Sequence, residues 1–305
     1  MQKDFLSIRD LTQNEIFEIF ELTKDLKRKT KAREPHHLLA GYSMAMIFAK
    51  PSARTRISFE TGIFQLGGMG IYLSPQDIGI GKREAVKDVA RVISRYNDLI
   101  MARLFDHAHI EELAQYSDVP VINGLTDYNH PCQILADTFT ILEHCGKLDN
   151  LKIVYIGDGN NVANSWLNFA SRVPIHLVVC SPQEYFPDKN TIQNAKGYKG
   201  SNVELLTDPQ EAVRNADVIY TDVWASMGQE TEAEERKRVF MQYQVNDELV
   251  AQAKDDVLVM HCLPAHRGDE ISDSVMESRY SIVFDEAENR LHVQKAIMVK
   301  LAGKG

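Results

Sequence analysis

Short apolar runs alternate with amphipathic stretches along most of the chain. In the first half these runs lie at residues 43–49, 69–73, 99–104 and 119–123, bounded by glycine, proline or asparagine. Runs of this length between segments with helical spacing are typical of βαβ units. The first half therefore predicts a mostly parallel sheet with helices in its connections.

The second half repeats this alternation after a predicted connecting helix. In that helix Ile134, Leu135, Ile141 and Leu142 recur at helical spacing, and Gly146 follows near its end. The strand candidates after it are LKIVYIG, IHLVVC, NVELL, ADVIYTD and VLVMHCL. Two α/β halves are therefore expected to meet near residue 150.

Both ends of the chain predict helices. Thr12 and Glu15 have the spacing of a capping box, and Ile16, Ile19 and Phe20 then fall on one helical face. The last stretch, EAENRLHVQKAIMVKLAG, has a loosely helical apolar pattern that suits packing back on the first half.

The predicted fold class is α/β, with two doubly wound parallel-sheet domains joined by connecting helices. We expect residues 1–148 to form the first domain and 149–287 the second, with a C-terminal helix at about 288–305 returning to the first. In open α/β sheets ligands gather at the carboxyl ends of the strands, so motifs that directly follow strands carry most weight.

Composition narrows the class of partner. The 305 residues include 34 Lys and Arg against 43 Asp and Glu, and a net charge of −9 disfavours nucleic acids and anionic membranes. The four cysteines form no CxxC pair, and no stretch of about 18 apolar residues occurs. We expect a cytoplasmic protein with a small-molecule partner.

The segment KPSARTR places two arginines, a serine and a threonine between a predicted strand and a predicted helix. Unpaired N–H groups and the helix dipole favour an anion there, and the planar guanidinium matches phosphate oxygens. The alternative is a solvated turn with surface arginines. The strand–turn–helix context favours an anion site.

Other candidate motifs are individually ambiguous. His130 in YNHPCQ either caps a helix or donates to a carbonyl oxygen whose charge grows during a reaction. The segment YIGDGNN is either a tight turn or a weak dinucleotide fingerprint with Gly157 and Gly159. Cys262 alone suits a small buried hydrophobe, and Arg290 alone suits the surface.

Taken together and in order, SARTR, HPCQILAD, GDGNN, DVWASMGQE, HCLPAHRG and EAENR resemble the aspartate/ornithine carbamoyltransferase family. The resemblance runs essentially from end to end. HPCQILAD, the Ser-Met-Gly triplet and FMQYQVN are similar to the ornithine members in particular. The resemblance implies transfer of the carbamoyl group of carbamoyl phosphate to the δ-amine of L-ornithine.

The resemblance also implies residue roles. Those expected to bind carbamoyl phosphate are Ser52, Ala53, Arg54, Thr55, Arg103, His130, Pro131, Cys132, Gln133, Cys262, Leu263 and Arg290. Those expected to bind ornithine are Asn161, Asp222, Ser226 and Met227. Catalytic roles are expected for Arg103, His130, Asp222 and Cys262.

The family implies a homotrimer, or a multiple of it, that needs neither a metal nor a cofactor. Active sites in it borrow a loop, here residues 75–84, from a neighbouring subunit. Two positions depart from the family. Ala53 stands where many members have threonine, and Gly79 where many ornithine enzymes carry a glutamine that helps to bind carbamoyl phosphate. Gly79 is therefore not assigned to the site.

Three alternatives remain open at the level of sequence. Two are carbamoyltransferases that take aspartate or putrescine instead of ornithine. Aspartate would need cations for its second carboxylate, and putrescine lacks the carboxylate that Asn161 and Met227 are expected to bind. The third, of another class, is a non-catalytic dinucleotide-binding module resting on IGDGNN alone.

Overall fold

The computed structural model describes residues 2–81, 83–225 and 230–304. Within them the chain divides into two compact units. The first comprises Met1–Phe139 and Glu288–Gly305, and the second comprises Thr140–Ala287. The predicted boundary at residue 149 stays a prediction. None of the helices in the described part is long and apolar enough to cross a membrane.

A parallel sheet of four strands forms the centre of the first unit. The strands are β1 (Ser43–Phe48), β2 (Met69–Leu73), β3 (Leu99–Arg103) and β4 (Val121–Leu125), in the order β2-β1-β3-β4. The helices in this part of the chain are α1 (Gln13–Lys31), α2 (Ala53–Gln65), α3 (Pro75–Ile78), α4 (Val86–Ile93), α5 (His107–Tyr116) and α6 (Pro131–Cys145), the last of which continues into the second unit.

Local sequence explains where these helices begin. The capping box predicted at the start of α1 is confirmed, since the side chains of Thr12 and Glu15 each accept from the other's backbone N–H. Ser52 is the N-cap of α2, where its Oγ accepts from the N–H of Thr55. The anion-type motif therefore opens a helix directly after β1.

The second unit contains a five-stranded parallel sheet. Its strands are β5 (Lys152–Ile156), β6 (His176–Cys180), β7 (Asn202–Leu206), β8 (Val218–Thr221) and β9 (Leu258–His261), in the order β7-β6-β5-β8-β9. The remaining helices are α7 (Asn161–Ala170), α8 (Lys189–Lys196), α9 (Pro209–Val213), α10 (Ala233–Phe240), α11 (Asp247–Val250), α12 (Asp273–Met276) and α13 (Val283–Leu301).

Each sheet has a point where the strand order reverses, between β1 and β3 in one and between β5 and β8 in the other. Such switch points hold ligands at the carboxyl ends of the strands. The C-terminal helix α13 contacts α2 closely, because a Cβ at Gly62 would lie 3.1 Å from the Met298 side chain. The predicted fold class is confirmed, including the return of the C-terminal helix to the first unit.

Candidate active site

The first turn of α2, in the first unit, has features that suit an anion. The first N–H groups of a helix have no partner within the helix, and the dipole makes this end positive. Ser52 and Thr55 hold the turn, with the Ser52 hydroxyl 3.2 Å from Thr55 Oγ1. Arg54 is exposed, so its guanidinium is accessible to a ligand.

Arg290 approaches this turn from α13. Its Nη2 donates to Thr55 Oγ1 at 3.2 Å, and its Nη1 donates to Gln133 Oε1 at 2.5 Å. Gln133, at the start of α6, also donates from Nε2 to Asp137 at 2.8 Å. The structure therefore brings together three sequence-predicted residues from three helices. Arg290 is nearly buried, which corrects the reading of a surface arginine.

His130 directly precedes α6 and is buried beside cations. Burial, Arg290 and Arg103 all lower its pKa well below 6.5, in that order of importance. The ring is therefore neutral at physiological pH and keeps one N–H to donate. Arg103 ends β3, so both residues lie where a parallel sheet presents its ligand-binding edge.

Lys50 is the first residue of the KPSARTR segment, and the sequence alone assigned it no role. The residue is only 4% exposed. Its ammonium pairs with Asp127 and lies 4.5 Å from the centre of the Phe105 ring. A lysine directly before the Pro-Ser of the SARTR turn was the available signal, and the Asp127 carboxylate offsets its charge.

In the second unit, a buried carboxylate follows β8. Asp222 Oδ2 accepts from Asn160 Nδ2 at 2.7 Å, and Oδ1 accepts from Cys262 Sγ at 2.9 Å. Asn160 is also the N-cap of α7, where its Oδ1 accepts from the N–H of Val162. One asparagine thus fixes both the start of α7 and the orientation of Asp222.

The geometry of the GDGNN segment favours a tight turn over a dinucleotide site. A Cβ on Gly159 would lie 2.3 Å from the carbonyl oxygen of Tyr185, so only glycine fits there. Burial raises the pKa of Asp158 to about 6, although its ion pair with Arg236 opposes that shift. Asn161 is the first residue of α7, next to the Asn160 cap.

Two expected site residues, Ser226 and Met227, lie outside the described residues. The flanking chain is held by Arg236, which donates from Nη1 to the carbonyl of Trp224 at 3.1 Å and from Nε to Glu232 at 3.0 Å. The expected roles of Ser226 and Met227 therefore stay predictions.

A hydrogen-bonded chain supports the turn after β9. The N–H of Leu263 donates to His261 Nδ1 at 2.9 Å, so Nε2 carries the ring proton and faces Glu270 Oε1 at 3.0 Å. Leu263 has a φ of 58°, which a leucine rarely adopts. The sequence alone did not point to His261 or Glu270, although a histidine in a predicted strand directly before Cys262 was a signal.

Asp222, His261 and Cys262 each offer an atom that could bind a metal, and these atoms lie within 4.8 Å of one another. The contacts described above already account for the arrangement. Cys262 donates to Asp222, and both ring nitrogens of His261 are engaged. Cys262 and Leu263 thus lie beside Asp222 in the second unit.

The sequence matches known families over both units. Residues 3–143 match the "Aspartate/ornithine carbamoyltransferase, carbamoyl-P binding domain", and residues 149–301 match the "Asp/Orn binding domain" of the same family. The chain belongs to the aspartate/ornithine carbamoyltransferase family. It is therefore an enzyme that transfers carbamoyl groups.

Individual members of the family are similar over nearly the full length. The ornithine carbamoyltransferase of Thermococcus kodakarensis is 55% identical over 305 residues, covering 99% of this chain and 96% of the relative. The "Ornithine carbamoyltransferase, anabolic" of Pyrococcus furiosus is 52% identical over 305 residues, with 99% and 96% covered. A solved structure of the Pyrococcus furiosus ornithine carbamoyltransferase superimposes with a TM-score of 0.94, covering 98% of this chain and 97% of that one.

Proposed function

We propose that this carbamoyltransferase acts on L-ornithine, giving L-citrulline and phosphate. The similarity to ornithine carbamoyltransferases over nearly the whole chain carries this proposal. The relative described as anabolic supports the direction of arginine biosynthesis. The roles of individual residues below belong to the same proposal.

In the first unit, carbamoyl phosphate binds at the start of α2. Ser52, the N–H groups around Ala53, Arg54 and Thr55 hold its phosphate. A dianionic leaving group needs this charge most as the bond between the carbamoyl carbon and the phosphate oxygen breaks.

The carbamoyl group is polarised by Arg103, His130 and Arg290. A neutral His130 donates a hydrogen bond to the carbamoyl oxygen, whose negative charge grows as the amine attacks. Gln133 holds the guanidinium of Arg290 at the start of α6. Carbamoyl phosphate is already activated, so positioning and charge stabilisation are sufficient and no metal or cofactor is invoked.

In the second unit, ornithine is recognised at both of its α-groups. Asp222 pairs with the α-ammonium, and Asn161, Ser226 and Met227 bind the α-carboxylate. The δ-amine must lose its proton to attack, and a free alkylammonium has a pKa of about 10.4. Burial of this amine favours its neutral form.

The enzyme assembles as a homotrimer or a multiple of it. The first unit exposes apolar side chains on α2 and on β2, the edge strand of its sheet: Ile57, Phe64, Met69 and Ile71. Exposed edge strands and contiguous apolar patches are typical of faces that meet another chain. In the loop at 75–84, Gly79 has a φ of 54°, a conformation that disfavours the family's glutamine there.

A side-by-side assay tests the proposed function. The enzyme is supplied with carbamoyl phosphate and with ornithine or aspartate, and the carbamoylated products are quantified. We expect citrulline, and little or no product from aspartate. An NADH titration of the same sample addresses the dinucleotide alternative, and tight NADH binding without citrulline formation would overturn the proposal.

A further inference from the structure

Gln294 lies on α13 one helical turn after Arg290 and is fully buried. A guanidinium only donates hydrogen bonds, so the side-chain oxygen of Gln294 faces Arg290. In this orientation Oε1 accepts from Arg290 Nη2 at 3.2 Å and from Nε at 3.3 Å. The amide nitrogen then donates to Ser58 Oγ at 2.7 Å.

Ser58 connects this amide to the anion turn. It lies one turn after Arg54 on α2, and its hydroxyl donates to the backbone carbonyl of Thr55 at 3.2 Å. Gln294 therefore bridges the guanidinium of Arg290 and the helix whose first turn is the candidate phosphate site.

Three neutral oxygens contact the Arg290 guanidinium. They belong to Thr55, Gln133 and Gln294, and they engage both Nη atoms and Nε. Amide and hydroxyl oxygens at these three positions fix the plane of the guanidinium through its planar set of N–H donors.

We propose that Gln294 is a positioning residue that holds the Arg290 guanidinium in its binding orientation for carbamoyl phosphate. This rests on the proposed role of Arg290 at the carbamoyl phosphate site. Gln294 does not itself touch the substrate. It acts on carbamoyl phosphate affinity through Arg290, and ornithine binding is independent of it.

The next residue on the same helix provides a matched control. Lys295 is equally buried, but its ammonium donates to Thr30 at 2.5 Å and to Gln65 at 2.8 Å instead of engaging Arg290. Replacing either residue by methionine keeps an unbranched side chain of similar length. Both variants disturb the packing of α13, but only one changes the partners of Arg290.

The experiment measures carbamoyl phosphate binding by calorimetry and the KM of each substrate for Gln294→Met, Lys295→Met and Ser58→Ala. Loss of a hydrogen bond to a charged group predicts a roughly tenfold weaker affinity for carbamoyl phosphate in Gln294→Met, with the KM of ornithine unchanged. Lys295→Met should keep the native affinity. Ser58→Ala, an easily tolerated helix substitution, should weaken binding by a few-fold at most.

A fourth variant, Arg290→Gln, separates two kinds of failure. If it loses carbamoyl phosphate affinity while Gln294→Met and Ser58→Ala bind normally, the positioning role is wrong and the proposed site stands. If Arg290→Gln also binds normally, the proposed role of Arg290 is itself wrong. Equal losses in Gln294→Met and Lys295→Met would indicate a packing effect and overturn the inference.

Discussion

At the scale of single residues, burial and neighbouring cations fix the protonation state of His130. Because its pKa is well below 6.5, the ring stays neutral across the physiological range and does not titrate there. We predict that His130→Ala lowers kcat by roughly 10²–10³-fold, as loss of an oxyanion donor does. The measurement is turnover at saturating concentrations of both substrates. Full turnover would indicate that the histidine only caps the helix.

Substitution of Asp222 tests how the enzyme binds its amine substrate. We predict that Asp222→Asn weakens ornithine binding by roughly ten- to hundredfold, because a lost charge-assisted contact is worth about 1.5–3 kcal/mol. Carbamoyl phosphate binding should change far less. The measurement is the KM of each substrate in the variant and in the unmodified enzyme.

The matched control for that change is Asp217→Asn. Asp217 immediately precedes β8, and its carboxylate pairs with Lys254 at 2.5 Å. Asp222 immediately follows the same strand. The control removes the same charge from the same unit. Equal effects of the two variants on the KM of ornithine would contradict the assignment.

Lys295 predicts a measurable dependence of stability on pH. Burial lowers its pKa from 10.5 to about 8, so between these values the unfolded chain binds more protons than the folded one. The cost of burying the charge is fully present below pH 8, and the free energy of unfolding rises as the pH approaches 10.5. Lys295→Met should lack this rise. Urea unfolding of both proteins at about pH 7.5 and 9.5 measures it, and a constant difference between them would contradict the prediction.

The sequence alone could identify only those parts of the candidate site that are contiguous along the chain. SARTR is contiguous, so its strand–turn–helix context was readable from the sequence. Arg290 meets Gln133 across 157 positions and Thr55 across 235, and no local pattern encodes such contacts. The family resemblance named these residues, whereas Gln294 and Glu270 required the packed structure.

At the scale of elements, the start of α2 carries the anion site. We predict that Arg54→Ala loses carbamoyl phosphate affinity and turnover together, because the phosphate is held in both the ground and the transition state. Arg56→Ala is the control, since Arg56 pairs with Glu60 at 3.1 Å on the same helix. Calorimetry that finds native affinity in a folded Arg54→Ala protein would refute the site.

Apolar runs predicted the strands well because the inner strands of each parallel sheet are buried on both faces. The exception is β4, which was expected at 119–123 and spans Val121–Leu125. Pro120 lacks an N–H for the ladder, although its carbonyl accepts from Ile100 at 2.9 Å, so the strand begins after it. Gly124 and Leu125 then extend it beyond the predicted end.

At the scale of the whole molecule, the proposed homotrimer is tested through the exposed apolar side chains of α2 and β2. We predict a mass of three chains of 34.6 kDa, or a multiple, by light scattering. Phe64→Ser should shift the enzyme towards monomer, since Phe64 is 74% exposed on this face. Tyr96→Ser is the control, because Tyr96 is 76% exposed and lies outside α2 and β2. A fully active monomer would refute the assembly.

We propose above all that the enzyme carbamoylates ornithine and binds both its α-ammonium and its α-carboxylate. The most direct test compares kcat/KM for ornithine and for putrescine, with carbamoyl phosphate saturating, on the unmodified enzyme. Putrescine lacks the carboxylate, so the groups that bind it would remain unsatisfied and the specificity constant should fall by orders of magnitude. We predict a strong preference for ornithine, and putrescine that equals or exceeds ornithine would contradict the account.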